Sequence, residues 1–379
     1  MADATPSEDL KTTPLDALHR RLGARMVGFA GWSMPVSYPA GTLAEHKACR
    51  EGAALFDVSH MGQVDLRPRS GDVADAARAL ERLVPADILS LGEGRQRYAL
   101  FTNDAGGIAD DLMVSHAGDR LSLVVNAANV GGDMALLAAI EDAVEVIPLP
   151  RALLALQGPG AEAVLARLGA DLSATRFMDR VEFELLGAAC IATRSGYTGE
   201  DGFEISVPED AAETIAAALI EEGEAAPAGL AARDSLRLEA GLCLHGSDIG
   251  PDTTPVEAGL MWSIQKSRRP GGARAGGFPG ADAIFAALTE GPARRRVGIK
   301  PEGRAPVRAP APLYPAEDAE TPVGQVTSGG FGATVGGPVA MGYVAAAAAD
   351  GTPLWAEVRG KRLPCAVHPL PFTPARFKR

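Results

Sequence analysis

The chain has 379 residues, 46% of them hydrophobic and 22% charged, a globular composition with length for two or three packed modules instead of a single core. A formal net charge of -12 argues against a protein that tracks nucleic-acid phosphates, which carries a basic stripe and a high pI. No run approaches the ~20 apolar residues needed to cross a bilayer, so neither nucleic acid nor a membrane is expected as a partner.

The start, "MADATPSEDLKTTPLDALHRR", lacks a hydrophobic signal core, and its acids fit a transit peptide poorly, so a soluble, cytoplasmic protein is expected. The spacing predicts a helix over Pro14 to Leu22, with Thr13 as cap, Asp16 at the capping-box position and Gly23 as stop. A loop with aromatic anchors follows, then a helix around Leu43 to Glu51, a strand at Ala54 to Val58 leading into "SHMG", and a helix from Val73 to Leu83. Residues 96 to 127 form an antiparallel meander with turns at "NDAGG" and "AGDR", closed by a helix near Asp133 to Ala143.

The same grammar recurs in the strand "RALLALQG", the helix "AEAVLARLG", strands around 181 to 186 and 188 to 195, a strand from Phe203 to Val207, and helices at 210 to 222 and 230 to 241. This is α+β alternation with hairpins, not regular βαβ winding. The basic clusters Ser267 to Arg274 and Ala293 to Arg296 read as solvated loop, with docking to an acidic partner as the alternative. After Arg296 short strands separated by Pro and Gly point to a small β barrel or sandwich. The expected division is therefore 1 to 285, two α+β subdomains whose segments can interleave in sequence, and 290 to 379.

Cys49, Cys190, Cys243 and Cys365 contain no C-x-x-C, and the six histidines make no ligand-spaced pair, so neither a disulfide framework nor a metal is expected. Phosphate-loop, dinucleotide and hydrolase-elbow patterns are missing as well. Three other places invite chemistry. Strand alternation sends Asp110 and Asp111 to opposite faces, so one pocket receives only one of them; periodicity does not choose which, and spacing alone favours reading both as solvated acids near a turn. In "RSGYTGEDGFEISV" Glu204 sits on the strand face opposite Phe203, Ile205 and Val207. A carboxylate there suits a heterocycle presenting adjacent N–H donors, with Tyr197 offering a ring or hydroxyl; an exposed hairpin glutamate is the alternative. Arg233 and Arg237 share a helix face, and either serves a ligand or an ordinary salt bridge.

Together, "TPLDALHRRLGARMVGFAGWSMPVSY", "ALFDVSHMG", "NDAGGIADDLMV", "LVVNAAN", "RSGYTGEDGFEI", "GLAARDSLRLEAGLCLHGSDI", "TPVEAGLMWSI" and "VTSGGFGATVGGPVAMGYV" resemble the aminomethyltransferase, or T-protein, family of the glycine cleavage system, in the right order along nearly the whole chain. The resemblance implies a multi-domain cloverleaf of mixed, largely antiparallel sheets with a C-terminal β barrel around a central folate-binding channel. It implies tetrahydrofolate as co-substrate, the lipoylated H-protein as partner, and transfer of a one-carbon unit with release of ammonia. It also selects Asp111 as the catalytic acid and Glu204 as the pterin-holding carboxylate. Tyr98, Tyr197 and Arg233 fall on cleft positions, Asn126 and Met61 lie in matching motifs, and Arg237 becomes structural. Two departures stand out: Phe377 occupies a place where some relatives have tyrosine, which leaves the tail out of the expected site, and the insert "RRPGGARAGGF" is long. Two alternatives remain in the same fold, another folate-dependent demethylase or methyltransferase, and a non-enzymatic iron-sulfur maintenance factor, whose Lys-Gly-Cys-Tyr motif is not matched at any cysteine here.

Overall fold

The structure, a computed structural model, describes residues 10–351 and 353–379; the first nine residues, on which part of the reading of the chain start rests, lie outside the described residues. Among the described residues there are eight α-helices, α1 Asp16–Arg21, α2 Thr42–Glu51, α3 Val73–Leu80, α4 Val130–Ala138, α5 Ala161–Arg167, α6 Glu209–Glu221, α7 Leu230–Glu239 and α8 Ala281–Glu290. α1 starts later than its sequence suggests. The Thr13 hydroxyl oxygen accepts from Leu15 N at 3.3 Å, the bond expected of a cap, while the same hydroxyl donates to Asp57 Oδ2 at 2.7 Å.

The meander forms one edge of a five-stranded antiparallel sheet, Gln96–Thr102, Ile108–His116, Leu121–Val125, Gly62–Pro68 and Val144–Pro148 in that spatial order. One face buries Ala99, Phe101, Leu112, Val114 and Leu123 against Ala76, Leu80 and Leu137 of α3 and α4. On the other face, the side of the site, Leu100 and Tyr98 pack against Cys243, Ile249, Ala258 and Leu260.

A six-stranded sheet takes Ala54–Asp57 from before that unit and the rest from after it, in the order Arg180–Leu185, Ala188–Thr193, Gly202–Pro208, Arg151–Gln157, Ala54–Asp57, Ala226–Pro227. It is covered on both faces. Leu154, Leu156, Phe203 and Ile205 pack on α5 and α6, while Phe56, Leu153 and Ala155 pack on Cys49 of α2 and Ala232 and Leu236 of α7. Burial on two sides explains why "RALLALQ" shows no alternation. A smaller three-stranded sheet joins Lys11–Thr12, Trp32–Ser37 and Arg25–Phe29, and the last six strands, Arg294–Pro301 to Lys361–His368, close into a barrel. The fold class is thus mixed α+β with a closed six-stranded barrel.

The basic clusters are not solvated loop. Arg268 is buried, with Nη2 donating to Glu81 O at 2.8 Å, and Arg274 pairs with the Glu81 and Asp87 carboxylates. Arg296 donates to Ala258 O and Gly241 O, both at 2.9 Å. Acids and carbonyls distant in sequence partner these arginines, which local charge pattern does not reveal.

α7 fastens the units to one another. At its end the Glu239 carboxylate accepts from Arg50 Nη2 at 3.0 Å and from the Thr334 and Val335 N–H groups of the barrel at 2.7 and 3.1 Å, and His46 Nε2 lies 3.2 Å away. Burial favours the protonated acid, but these donors and the His46 charge hold Glu239 down at about 2. The unfolded carboxyl titrates near 4.3, so the unfolded chain binds more protons between those values; the stability Glu239 contributes is present above that range and lost as pH falls towards about 2. Glu239→Ala is expected to cost about 3 kcal/mol at neutral pH and to flatten the acid-side loss, measured by urea unfolding at a series of pH values. An unchanged midpoint would remove this role.

Candidate functional site

Strand register decides between the paired acids. Asp111 lies opposite Leu100, and Met113 opposite Tyr98, on the sheet face turned away from α3, whereas Asp110 lies opposite Phe101 on the helix-covered face and is fully buried. Asn126 Nδ2 bridges the two carboxylates, 2.9 Å from Oδ1 of each. Burial, then the Asp110 charge, push Asp111 up to about 6, against the opposing pull of His245, Asn126 and the Tyr98 hydroxyl. That proximity and burial also raise Tyr98 well above the usual phenol range. The Tyr98 ring stacks on Trp262 with centroids 5.2 Å apart, and Trp262 is 60% exposed, so this aromatic pair runs from solvent to the acid.

Behind Asp111, Asp110 Oδ1 accepts from Asn129 Nδ2 at 2.6 Å, and the same amide nitrogen lies 2.9 Å from His245 Nδ1. Asp133, one turn beyond Asn129 in α4, is buried with Oδ2 unpartnered; burial and its bond to Asp110 raise its pKa strongly. A second row of polar groups therefore backs the Asp111 carboxylate.

Glu204 approaches from the six-stranded sheet. It pairs across the strands with Ala155 and Thr193, on the face towards α7, and is 9% exposed. Burial raises its pKa, and Arg233 partly offsets this. Arg233 is itself depressed by burial and countered by Glu204 and Tyr197, and its Nη1 is a buried donor without a partner. The guanidinium lies 5.0 Å over the Tyr197 ring, while the Tyr197 hydroxyl donates to Cys243 O. The loop that brings Tyr197 here depends on Gly196, where a Cβ would stand 1.8 Å from Gln157 Oε1, and on Gly199, at φ +78°.

The expected residues thus gather into a connected set. The Tyr197 ring lies beneath the Arg233 guanidinium, and its hydroxyl donates to Cys243 O, in the cluster that also packs Tyr98 and Leu100 next to Asp111. Met61 packs with Phe56 and Ala232 where the two sheets meet. Arg237 points elsewhere, to Asp248 Oδ2 at 2.6 Å and Ser328 Oγ at 2.8 Å. Sequence reasoning missed Asn129, Asp133, His245, Trp262 and His60. His60 is buried with Nδ1 unpartnered, and burial with the nearby Arg233 charge pushes it down to about 4. For Asn129 and Asp133 the helical spacing was a signal; for the other three there was none. Among the described residues no group of three or more His, Cys, Asp or Glu side chains is placed to hold a metal ion. The arrangement offers desolvated carboxylates on two walls, an unpaired arginine donor and aromatic faces. That set suits a planar ligand rich in N–H donors and electron-rich edges.

The GCVT N-terminal domain family model matches residues 15–268, and the glycine cleavage T-protein C-terminal barrel domain model matches residues 294–373. A mitochondrial aminomethyltransferase of Gallus gallus is 47% identical over 98% of this chain and 94% of its own; that of Dictyostelium discoideum is 40% identical over 98% and 95%. The crystal structure of glycine cleavage system aminomethyltransferase T from Bartonella henselae superposes with TM-score 0.90 at 45% identity, covering 98% of this chain and 100% of that one. One expectation falls here: these curated relatives are mitochondrial, which contradicts a cytoplasmic protein.

The electrostatics are open to direct titration. In carbon-13 spectra of labelled aspartate carboxyls, the resonance that disappears in Asp111→Asn is expected to titrate at about 6. Asn126→Ala removes a donor to the charged form and is expected to move that midpoint higher. A midpoint in the ordinary aspartate range would contradict the desolvated environment.

Proposed function

The chain belongs to the glycine cleavage T-protein family, and we propose that its chemistry runs between Asp111 and Glu204 across one folate pocket. The chain is a tetrahydrofolate-dependent aminomethyltransferase of the glycine cleavage system. The donor we assign is the aminomethyl group on the lipoyl arm of H-protein. In the transfer the carbon–sulfur and carbon–nitrogen bonds of that group break and two carbon–nitrogen bonds to folate form. The two folate N–H protons leave with ammonia and with the restored thiol. Folate supplies the nucleophilic amines, and the protein orients them and handles charge.

In this reading Glu204 accepts two parallel N–H bonds from the pterin, for which a buried, strand-fixed carboxylate is suited. Arg233 offers its unpartnered Nη1 to an electron-rich edge of the ligand while its countercharge Glu204 holds it ionised. Tyr197 and Tyr98 provide ring faces, Met61 closes the apolar floor and Asn126 holds the Asp111 carboxylate. Asp111 faces the folate amines, where an acid poised at about 6 can orient them and carry a proton near neutral pH. The observation that carries the reading is the position of Tyr197, whose ring lies beneath the Arg233 guanidinium of the Glu204 wall while its hydroxyl donates to the carbonyl of Cys243, which packs with Leu100 and Tyr98 beside Asp111. The folate-binding module is assigned to residues 1 to 285 and the barrel to 290 to 379.

Asp111→Asn is expected to bind tetrahydrofolate nearly normally while losing about 100-fold or more in turnover. Glu204→Ala is expected mainly to weaken folate binding, by about tenfold or more. Because the raised Asp111 pKa means that the carboxylate is charged only above about 6, wild-type turnover should fall as pH drops through that value. Wild-type-like activity in Asp111→Asn would sink the mechanistic assignment.

A further inference from the structure

The carboxyl-terminal tail lies outside the recess, yet it is built into the wall that forms it. After the barrel the chain is pinned to the end of α7, with the Phe372 and Thr373 N–H groups donating to Glu239 O at 2.9 and 3.0 Å. It then crosses the outer side of the Tyr197 loop. Arg376 N donates to Gly199 O at 2.9 Å, and Lys378 N donates to Asp201 Oδ1 at 3.4 Å. Beyond the loop the Phe377 ring stacks on Phe177 with centroids 4.0 Å apart and planes 7° from parallel. Lys378 O accepts from Phe177 N at 2.7 Å, and Lys378 Nζ reaches Glu162 Oε2 at 2.8 Å and Ser173 O at 2.6 Å.

On the opposite side the loop is pressed against α7. A Cβ on Gly199 would stand 2.8 Å from Ala240 Cβ, directly after the helix that carries Arg233. The inner anchors, Thr198 Oγ1 to Gln157 Oε1 at 2.8 Å and Arg50 Nη1 to Thr198 O at 2.7 Å, hold the loop to the sheet and α2. Arg194 Nε also donates to Asp201 Oδ1 at 3.0 Å, so the tail's own hold on the loop is the Arg376 bond to Gly199 O, and both ends of the strap are fixed to other elements.

We propose that Arg376, Phe377 and Lys378 act as positioning residues that clamp the Gly196–Gly202 loop on α7 and so hold the Tyr197 ring beneath the Arg233 guanidinium. The inference rests on the assignment of Tyr197 and Arg233 to the folate wall. None of the three tail residues needs to touch folate. The strap acts on binding, because Tyr197 meets folate through its ring whether or not the one-carbon unit is moving.

Deletion of residues 375–379 in the otherwise full chain tests this, with hydrogen exchange across residues 196–202 read alongside the dissociation constant for tetrahydrofolate. The expected result is faster exchange in that loop and about tenfold weaker folate binding, the scale of one or two lost hydrogen bonds. Turnover at saturating folate should remain within about twofold. Phe377→Tyr, which keeps the stacked ring, should preserve both readouts, and Phe377→Ala should follow the deletion in part. Unchanged exchange in the deleted protein overturns the strap. Faster exchange with unchanged folate affinity shows instead that the loop moves without consequence for the ligand, and overturns the placing of Tyr197 in the folate wall.

Discussion

The buried carboxylate of Glu239 is the constraint on which the rest of the molecule depends. It draws together Arg50 and His46 of α2, the N–H groups of Thr334 and Val335 in the barrel, and its own helix α7. Arg50 extends the network into the Tyr197 loop through Thr198 O and Glu200. Hydrophobic contact alone would leave the barrel free to slide on α7, because apolar packing is non-directional. A buried ion cluster adds little net stability but is costly to break, and here its geometry fixes one register. Arg233 and Arg237, one turn apart on the same helix, then face the recess and the barrel respectively.

Holding that register is what makes the site possible. Asp111 and Glu204 come from different sheets and both are desolvated with raised pKa values. Neither acid is neutralised within its own sheet. Asp111 has amide and phenol donors, and Glu204 has an arginine with a donor to spare. Such groups cost stability in the free protein and gain partners when a ligand with matched donors and acceptors arrives. The same balance separates the structural buried acids from the working ones. Glu239 is saturated with donors and pulled down to about 2, while Asp111 is left near 6.

Much of this was legible in the sequence where the signals are local. Strand alternation separated Asp110 from Asp111, and the register then gave the reason that only Asp111 reaches the open face: Asp110 lies opposite Phe101 over the helices. The turn glycines of the Tyr197 loop and the Pro- and Gly-punctuated barrel were equally readable. What failed depended on partners far along the chain. The second bond of the Thr13 hydroxyl goes to Asp57, 44 residues away, and local spacing gave no sign of it. Arg268 and Arg274 looked solvated because Glu81 and Asp87 come from another unit. The tail was set aside on the identity of Phe377 alone, although its stacking on Phe177 is a tertiary fact with no trace in either local sequence.

The account is tested most directly by ammonia release from an aminomethylated lipoyl carrier protein, followed with and without tetrahydrofolate. A single pocket in which folate amines receive the one-carbon unit predicts that ammonia and methylenetetrahydrofolate appear together in equal amounts, and that release nearly stops when folate is left out. Release at the full rate without folate would contradict it.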